Sequence, residues 1–174
     1  MEEFDAILMP VSGPPTEIKI KMEDVNKLFN CKYTDHMSFP YLDWFGYRLA
    51  ILVDDSGVSK ELPINPLATY FAKDRGYVCG PAILVDDEKK LTMDEFRKIM
   101  EIVKIIPFAD WRPCETKIDE NLDPIWVKYI TSGNEKYKQK VRKAGINEKE
   151  ILKKLWKYIP DEIKNEQLKG ITVT

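Results

Sequence analysis

The sequence predicts an α+β fold, in which a small mixed or antiparallel sheet carries two or three helices and is followed by a helical C-terminal tail. The main observation is a repeat: residues 49–55 (LAILVDD) return almost unchanged as residues 81–87 (PAILVDD), and a fainter copy, DAILMP, lies at residues 5–10. Short apolar runs that end in a polar turn are typical of buried strands. Clear helix start signals supply the helices, and 44% apolar residues in a chain of 174 suffice for a core.

Strand signals dominate the first half of the chain. Residues 4–11 and 16–20 predict two strands, and the apolar spacing of residues 23–29 predicts a short helix. The two repeated runs predict further strands at residues 47–53 and 77–85. Residues 58–62 are expected to pair back on the preceding strand as a hairpin.

Capping residues mark the helices that follow. Asn65 as N-cap and Pro66 at the first helical position predict a short helix. Thr92 and Glu95 form a capping box, in which the side chain of each residue is expected to bond the backbone N–H of the other. Pro107 is expected to end the helix that Thr92 caps. In the helix that begins at Pro66, three residues are expected to face inward: Leu67, Tyr70 and Phe71.

The C-terminal third differs in charge from the rest of the chain. Residues 1–120 carry 15 Lys/Arg and 22 Asp/Glu, whereas residues 121–174 carry 12 Lys/Arg and 7 Asp/Glu. Such an asymmetry indicates that the two parts are shaped for different surroundings. We therefore expect an α+β sheet domain at residues 1–107, a linker at 108–121 and a basic helical tail at 122–174.

Three helices are expected in the tail. Asp123 and Pro124 predict the start of the first, and residues 134–145 predict the second. A capping box of Asn147 and Glu150 predicts the third.

Composition limits the classes of function. Three widely spaced cysteines argue against a disulfide framework and suit a reducing compartment. One histidine, His36, and no Cys-x-x-Cys pair argue against a zinc site and against a nucleophile–histidine system. No run approaches the roughly 20 apolar residues of a membrane span, and the acidic N-terminus does not resemble a signal peptide. We therefore expect a cytoplasmic protein with no cofactor and no membrane partner.

One pattern resembles a known family. Residues 65–69 form N-x-x-A-T, residues 76–82 form G-x-x-x-G-x-A, and a β run follows. This pattern resembles a domain family of unknown function that occurs in phages, bacteria and large DNA viruses. The resemblance implies a small α+β domain and a mobile-element setting, and it supplies no catalytic residues. The pattern also has a structural explanation. Asn followed by Pro begins a helix, and the two glycines allow other parts of the chain to approach the backbone closely.

The acidic ends of the two repeated strands are candidate metal ligands. If the strands lie parallel, four carboxylates meet at one edge of the sheet and could hold Mg²⁺ for phosphoester hydrolysis. If the strands lie antiparallel, the two pairs lie at opposite ends and this hypothesis fails. The alternative is that both pairs are polar turns. The four residues are Asp54, Asp55, Asp86 and Asp87.

Two other sets of residues are candidates for partner contacts. Aromatic residues concentrate at interface hot spots, and four precede the strand predicted at residues 47–53, although core packing is the alternative for them: Phe39, Tyr41, Trp44 and Phe45. Three lysines fall on one helical face of the tail: Lys136, Lys140 and Lys143. These lysines could contact a nucleic-acid backbone, dock on an acidic surface of the chain itself or of a partner, or remain solvated.

From these observations and the resemblance, we expect a non-enzymatic viral or phage protein that acts through protein–protein contacts. It would be a virion component or an accessory factor directed at a host protein, and would lie in the virion or the host cytoplasm. Two alternatives remain open: a nucleic-acid-binding accessory protein that uses the basic tail, and a metal-dependent hydrolase that uses the Asp pairs. An exposed edge strand would allow a homodimer.

Overall fold

The computed structural model describes residues 2–109, 111, 116–118, 124–126, 139, 140 and 142–166. A five-stranded sheet forms its centre, with strand order β2-β1-β5-β4-β3 and every neighbouring pair antiparallel. The strands are β1 (Glu3–Met9), β2 (Thr16–Lys21), β3 (Thr34–Ser38), β4 (Leu49–Asp54) and β5 (Ala82–Asp86). The predicted α+β class, with helices in the C-terminal part, is confirmed.

Five α-helices accompany the sheet in the described residues. They are α1 (Met22–Phe29), α2 (Pro66–Ala72), α3 (Met93–Ile105), α4 (Glu148–Leu155) and α5 (Asp161–Glu166). Residues 139, 140 and 142–144 are also helical. Short 3₁₀ turns occupy Pro40–Phe45, Lys73–Arg75 and Trp156–Tyr158.

A two-stranded ladder joins β6 (Thr116–Ile118) and β7 (Pro124–Trp126). The sequence predicted a linker and the start of a helix here, and that prediction is wrong at Pro124. Thr116 pairs with Trp126 across the ladder. The cross-strand pairing therefore overrides the local Asp-Pro signal.

Apolar side chains are buried on both faces of the sheet. On one face, β4 and β5 contribute Ile51 and Leu84 to the larger core. Helices α2, α3 and α4 pack there through residues that include Phe71, Ile99, Leu152 and Leu155. On the other face, α1 places Val25 and Phe29 against a smaller cluster of Ala6, Leu52 and Ile83. Helix α1 is only eight residues long, so it spans about 12 Å.

The two copies of the repeat lie side by side but out of phase. Ile51 pairs with Leu84, and Leu52 pairs with Ile83. Directly opposed residues share a face of the sheet, so the first pair enters the larger core and the second pair the smaller one. Ile51 and Ile83, which correspond in sequence, therefore point to opposite faces.

The N-x-x-A-T pattern is held together by Asn65, which is fully buried. Its side-chain Oδ1 accepts a hydrogen bond from Ala68 N and caps α2, as predicted. Its Nδ2 donates to Met9 O at 2.9 Å and to Gly80 O at 3.0 Å. One amide thus joins the end of β1, the start of α2 and the approach to β5. Thr69 adds a hydrogen bond that its Oγ1 accepts from Val78 N.

Loop geometry differs from the prediction in two places. No strand forms at residues 58–62, which follow β4 as hydrogen-bonded turns, so the predicted hairpin is wrong. In α2, Phe71 is buried as predicted, whereas Tyr70 is exposed and Leu67 is only partly buried. The helix extends for only seven residues, so its inward face is narrow.

The described part of the tail packs on the sheet domain. Leu152, Leu155 and Ile159 are all buried in the same core as the strands. Tyr158 Oη donates a hydrogen bond of 2.6 Å to Glu101 in α3, and this hydrogen bond raises the pKa of the tyrosine. The helix α4 and the turn that follows it thus pack on the sheet domain mainly through apolar side chains, and docking of the tail lysines on an acidic surface stays a prediction.

Candidate functional site

An open groove lies on the face of the sheet that α1 covers only in part. It encloses about 1060 Å³. Side chains of β1, β3, β4 and β5 form its floor, and these strands span about 14 Å at the usual strand spacing. The floor residues are Phe4, Thr34, His36, Ser38, Ala50, Leu52 and Val85. Met22 of α1 and Glu162 and Ile163 of α5 also line the groove. The lining extends to Tyr47 and Leu49, which are buried in the larger core.

Strand register explains why this face is concave. Ala50 of β4 pairs with Ser38 of β3 on one side and with Val85 of β5 on the other. Two small side chains therefore lie next to each other in one row across the sheet. The next row places the exposed His36 beside Leu52. The floor thus combines an apolar strip with a polar edge.

The rim of the groove is acidic. Five carboxylates and a single guanidinium line it: Asp43, Asp86, Asp87, Glu88, Glu162 and Arg48. The guanidinium of Arg48 is paired with Glu88 at 3.3 Å. Asp86 accepts hydrogen bonds from the backbone N–H groups of Arg48, Glu88 and Lys89. The rim therefore presents a negative potential to an approaching partner.

Tyr47 anchors the rim to α3. Its Oη donates a hydrogen bond of 2.6 Å to Glu95 Oε2. Burial, together with this hydrogen bond, raises the pKa of Tyr47. The sequence predicted that Glu95 would bond the N-cap residue of α3. The Thr92 half of that box is confirmed, because Thr92 Oγ1 accepts from Glu95 N at 3.2 Å, but the Glu95 carboxylate accepts from Tyr47.

Strand β3 forms one edge of the sheet, and two of its outer backbone groups have a partner. The N–H of His36 donates to the Asp35 carboxylate at 2.8 Å. The carbonyl of Ser38 accepts from the Arg75 guanidinium at 2.8 Å. Native proteins protect edge strands from unwanted pairing with charged side chains of this kind. These contacts occupy part of the edge, and the side chains of Thr34, His36 and Ser38 line the groove.

The predicted metal site does not form. Strands β4 and β5 are antiparallel, and Leu49 pairs with Asp86. Asp54 and Asp55 consequently lie at the opposite end of the strands from Asp86 and Asp87, about 17 Å away at 3.3 Å per residue. No group of three or more His, Cys, Asp or Glu side chains is placed to hold a metal ion within the described ranges. The hydrolase hypothesis fails on this geometry.

Each acidic pair instead begins a turn. Asp54 Oδ1 accepts from Ser56 N at 2.8 Å, and its Oδ2 forms a 2.7 Å ion pair with Lys60. Burial opposes ionisation of this carboxyl, but the hydrogen bonds from Lys60 and Ser56 outweigh it and lower the pKa of Asp54. Lys60 also donates to the carbonyl of Asn30 at the end of α1. The carboxylate thus organises a structural loop.

The predicted aromatic contact surface is mostly core. Phe39, Tyr41 and Phe45 are almost fully buried, and Trp44 is partly buried against the same cluster. Tyr41 Oη donates to Phe71 O at 2.6 Å, and burial raises its pKa. Because the 3₁₀ turn Pro40–Phe45 directs these rings inward, core packing is the alternative that the structure supports. Phe39, Tyr41 and Phe45 have no accessible surface for a partner.

The predicted lysine patch is described only in part. Lys143 is exposed on a helical segment, and Lys140 is half-buried with its ammonium 5.5 Å from the centre of the Phe108 ring. Lys136 lies outside the described residues. The structure therefore does not place the three lysines on one surface.

The groove residues were not singled out from the sequence. Only His36, Asp86 and Asp87 had been considered: the histidine as a general base or zinc ligand, and the two aspartates as metal ligands. The available signal was the pair of small residues, Ser38 and Ala50, in neighbouring strands. It becomes informative only when the register between β3 and β4 is known.

Comparisons with protein-family models, with curated proteins and with solved structures found no match. The resemblance carried by residues 65–82 therefore stays a prediction. No helix in the described part of the chain is long and apolar enough to cross a membrane.

Proposed function

We propose that this chain is a non-enzymatic binding protein that acts through protein–protein contacts and receives a segment of its partner in the sheet-face groove. The observation that carries the proposal is the groove itself, whose floor combines an apolar strip with a polar edge and whose rim is acidic. Small-molecule sites usually bury most of their ligand within about 300–1,000 Å³. The groove is at least that large, and its floor and rim include exposed residues, among them His36, Ser38 and Asp87.

The viral or phage setting is part of the proposal and is supported by the N-x-x-A-T…G-x-x-x-G-x-A resemblance alone. In that setting the partner would be a host protein or another viral protein. A virion component and a host-directed accessory factor are both compatible with a groove of this kind.

A capture experiment with groove variants tests this function. Tagged protein is incubated with cell lysate, with and without nuclease, and the retained proteins are identified by mass spectrometry. Ser38→Phe and Ala50→Phe fill the groove. Ser59→Phe makes the same exchange as the first variant on an exposed turn outside the groove. We expect a nuclease-resistant protein that binds the wild type and Ser59→Phe but neither groove variant.

Two outcomes would contradict the proposal. One is a partner that all four proteins retain equally, which would locate its binding outside the groove. The other is recovery of nucleic acid and nuclease-sensitive proteins alone, which would favour a nucleic-acid-binding role for the C-terminal part. Circular dichroism of each variant verifies that the fold is retained.

A further inference from the structure

The geometry points to an extended, lysine- or arginine-bearing segment of a partner protein as the occupant of the groove. This inference rests on the proposed function, because it specifies the chemistry of the segment that the groove receives. Charge, the shape of the floor and the state of the sheet edge support it independently.

Two carboxylates supply the charge for recognition. The side chains of Asp87 and Glu162 line the groove and are exposed. Among the described residues, neither forms an ion pair. Arg48, the cation of the lining, is already paired with Glu88. A cationic partner would thus gain attraction from both free carboxylates, whereas an acidic partner would meet repulsion.

The floor suits alternate side chains of an extended chain. In an extended segment, successive side chains point to opposite sides. One set can lie on Phe4, Leu52 and Val85, where the small Ala50 and Ser38 leave depth. The other set then points away from the floor. The carboxylates of Asp87 and Glu162 belong to the same lining, and the long, flexible side chains of lysine and arginine suit contacts with such a rim.

The edge of the sheet at β3 is partly occupied, which makes it less suited than the face to bind a peptide. A peptide that extended the sheet beside β3 would need the outer backbone groups of that strand. His36 N is already bonded to Asp35, and Ser38 O is bonded to Arg75. Binding across the face does not require these two contacts to break.

Direct binding of synthetic peptides tests this inference. The probes are fluorescent peptides of about ten residues, which span about 33 Å when extended. Valine alternates with lysine in the first, with serine in the second and with glutamate in the third. Binding to the purified full chain is followed by anisotropy at rising salt. We expect the lysine peptide to bind about tenfold more tightly than the serine peptide, and salt to reduce this difference.

Charge reversal at the rim is compared with a single charge reversal outside the groove. Asp87→Lys combined with Glu162→Lys should weaken binding of the lysine peptide about tenfold. Asp55→Lys changes an exposed aspartate in the other copy of the repeat, at the far end of β4. That control should leave the affinity within about twofold of the wild type.

The outcomes separate the inference from the function on which it rests. Equal binding of the lysine and serine peptides, abolished by Ser38→Phe, would overturn the charge preference but retain the groove as a binding site. No binding of the lysine peptide, or an equal loss in Asp55→Lys, would also overturn the inference. A partner captured from lysate through the groove would then still support the proposed function.

Discussion

Asn65 connects three elements with one side chain. As the N-cap of α2 it accepts one hydrogen bond, and its amide group donates to the carbonyls of Met9 and Gly80. The sequence predicted the cap, because capping depends on neighbouring residues. It could not predict the two donated bonds, because they depend on where β1 and β5 meet.

Replacement of Asn65 by alanine should therefore cost more than the loss of a cap. We expect Asn65→Ala to lower the free energy of unfolding by about 3–5 kcal/mol, since two buried carbonyls lose their donor. Thr92→Ala, which removes a cap bond alone, should cost about 1 kcal/mol. Urea denaturation measures both. Equal losses in the two variants would show that the donated bonds contribute nothing.

Asp54 makes stability depend on pH. Its pKa in the folded state is lowered, whereas the unfolded value is about 3.9. Below about pH 5 the unfolded chain therefore binds more protons than the folded chain. The stability that the carboxylate contributes is lost as the pH falls through the lowered pKa of the folded state.

The expected measurement is a stability difference that shrinks with acidity. Asp54→Asn should be about 2 kcal/mol less stable than the wild type at neutral pH, because a charge-assisted bond to Lys60 is lost. The gap should narrow below about pH 4. Asp55→Asn, on an exposed side chain, serves as control. A gap in Asp54→Asn that stays constant with pH would contradict the assignment.

At the scale of elements, the loop after β4 packs tightly against the segment before β5. A Cβ atom on Gly57 would lie 2.5 Å from the carbonyl oxygen of Cys79. Since that oxygen belongs to the backbone, it cannot move aside without shifting the segment. Glycine is therefore required at this position by contact.

Gly57→Ala should accordingly destabilise the chain by about 1–3 kcal/mol, the usual range for overpacking. Ser56→Ala changes the adjacent, exposed residue and should stay within about 0.5 kcal/mol of the wild type. Thermal unfolding of the two variants makes the comparison. An unchanged melting temperature in Gly57→Ala would mean that the loop can adjust freely.

Elements with strong local signals were predictable, and those set by tertiary contacts were not. The apolar face and cap residues predicted α1, α2, α3 and α4 near their observed positions. The ladder of β6 and β7 was missed, because Pro124, which pairs with Ile118, also belongs to the local signal for the start of a helix. The aromatic stretch was ambiguous for a similar reason, because only the turn Pro40–Phe45 decides that its rings face inward.

At the scale of the whole molecule, sheet and C-terminal helices share one core. Leu155 of α4 is fully buried in the cluster that contains Ile51 and Leu84. The sequence predicted a tail that follows a separate domain, because charge changes sharply near residue 121. The distribution of charge along the chain reflects the exposed residues, however. The apolar face of α4 determines where that helix packs.

Leu155→Ala should therefore weaken the sheet as well as the helix. We expect a loss of about 2–5 kcal/mol in a single unfolding transition. Amide exchange in β4 and β5 should accelerate by the same free energy. Lys154→Ala, on the exposed face of the same helix, should change neither quantity. Unaltered exchange in the strands of Leu155→Ala would show that α4 unfolds on its own.

The groove could not have been predicted at any smaller scale. Its floor depends on the register of β3, β4 and β5, and its lining includes Glu162 from α5. These residues are spread over more than 100 positions of the sequence and share no motif. Only the assembled sheet, with a short α1 covering part of one face, brings them together.

The out-of-phase repeat has a consequence for how the chain finds its register during folding. Both faces of β4 and β5 are apolar, so a slip by one residue would still bury nearly the same side chains. Hydrophobicity alone therefore cannot align the two copies. One contact across the strand pair depends on the alignment, because the Asp86 carboxylate accepts a hydrogen bond from the N–H of Arg48. A slip by one residue would move this acceptor away from its donor, so the hydrogen bond favours the native alignment of two nearly identical strands.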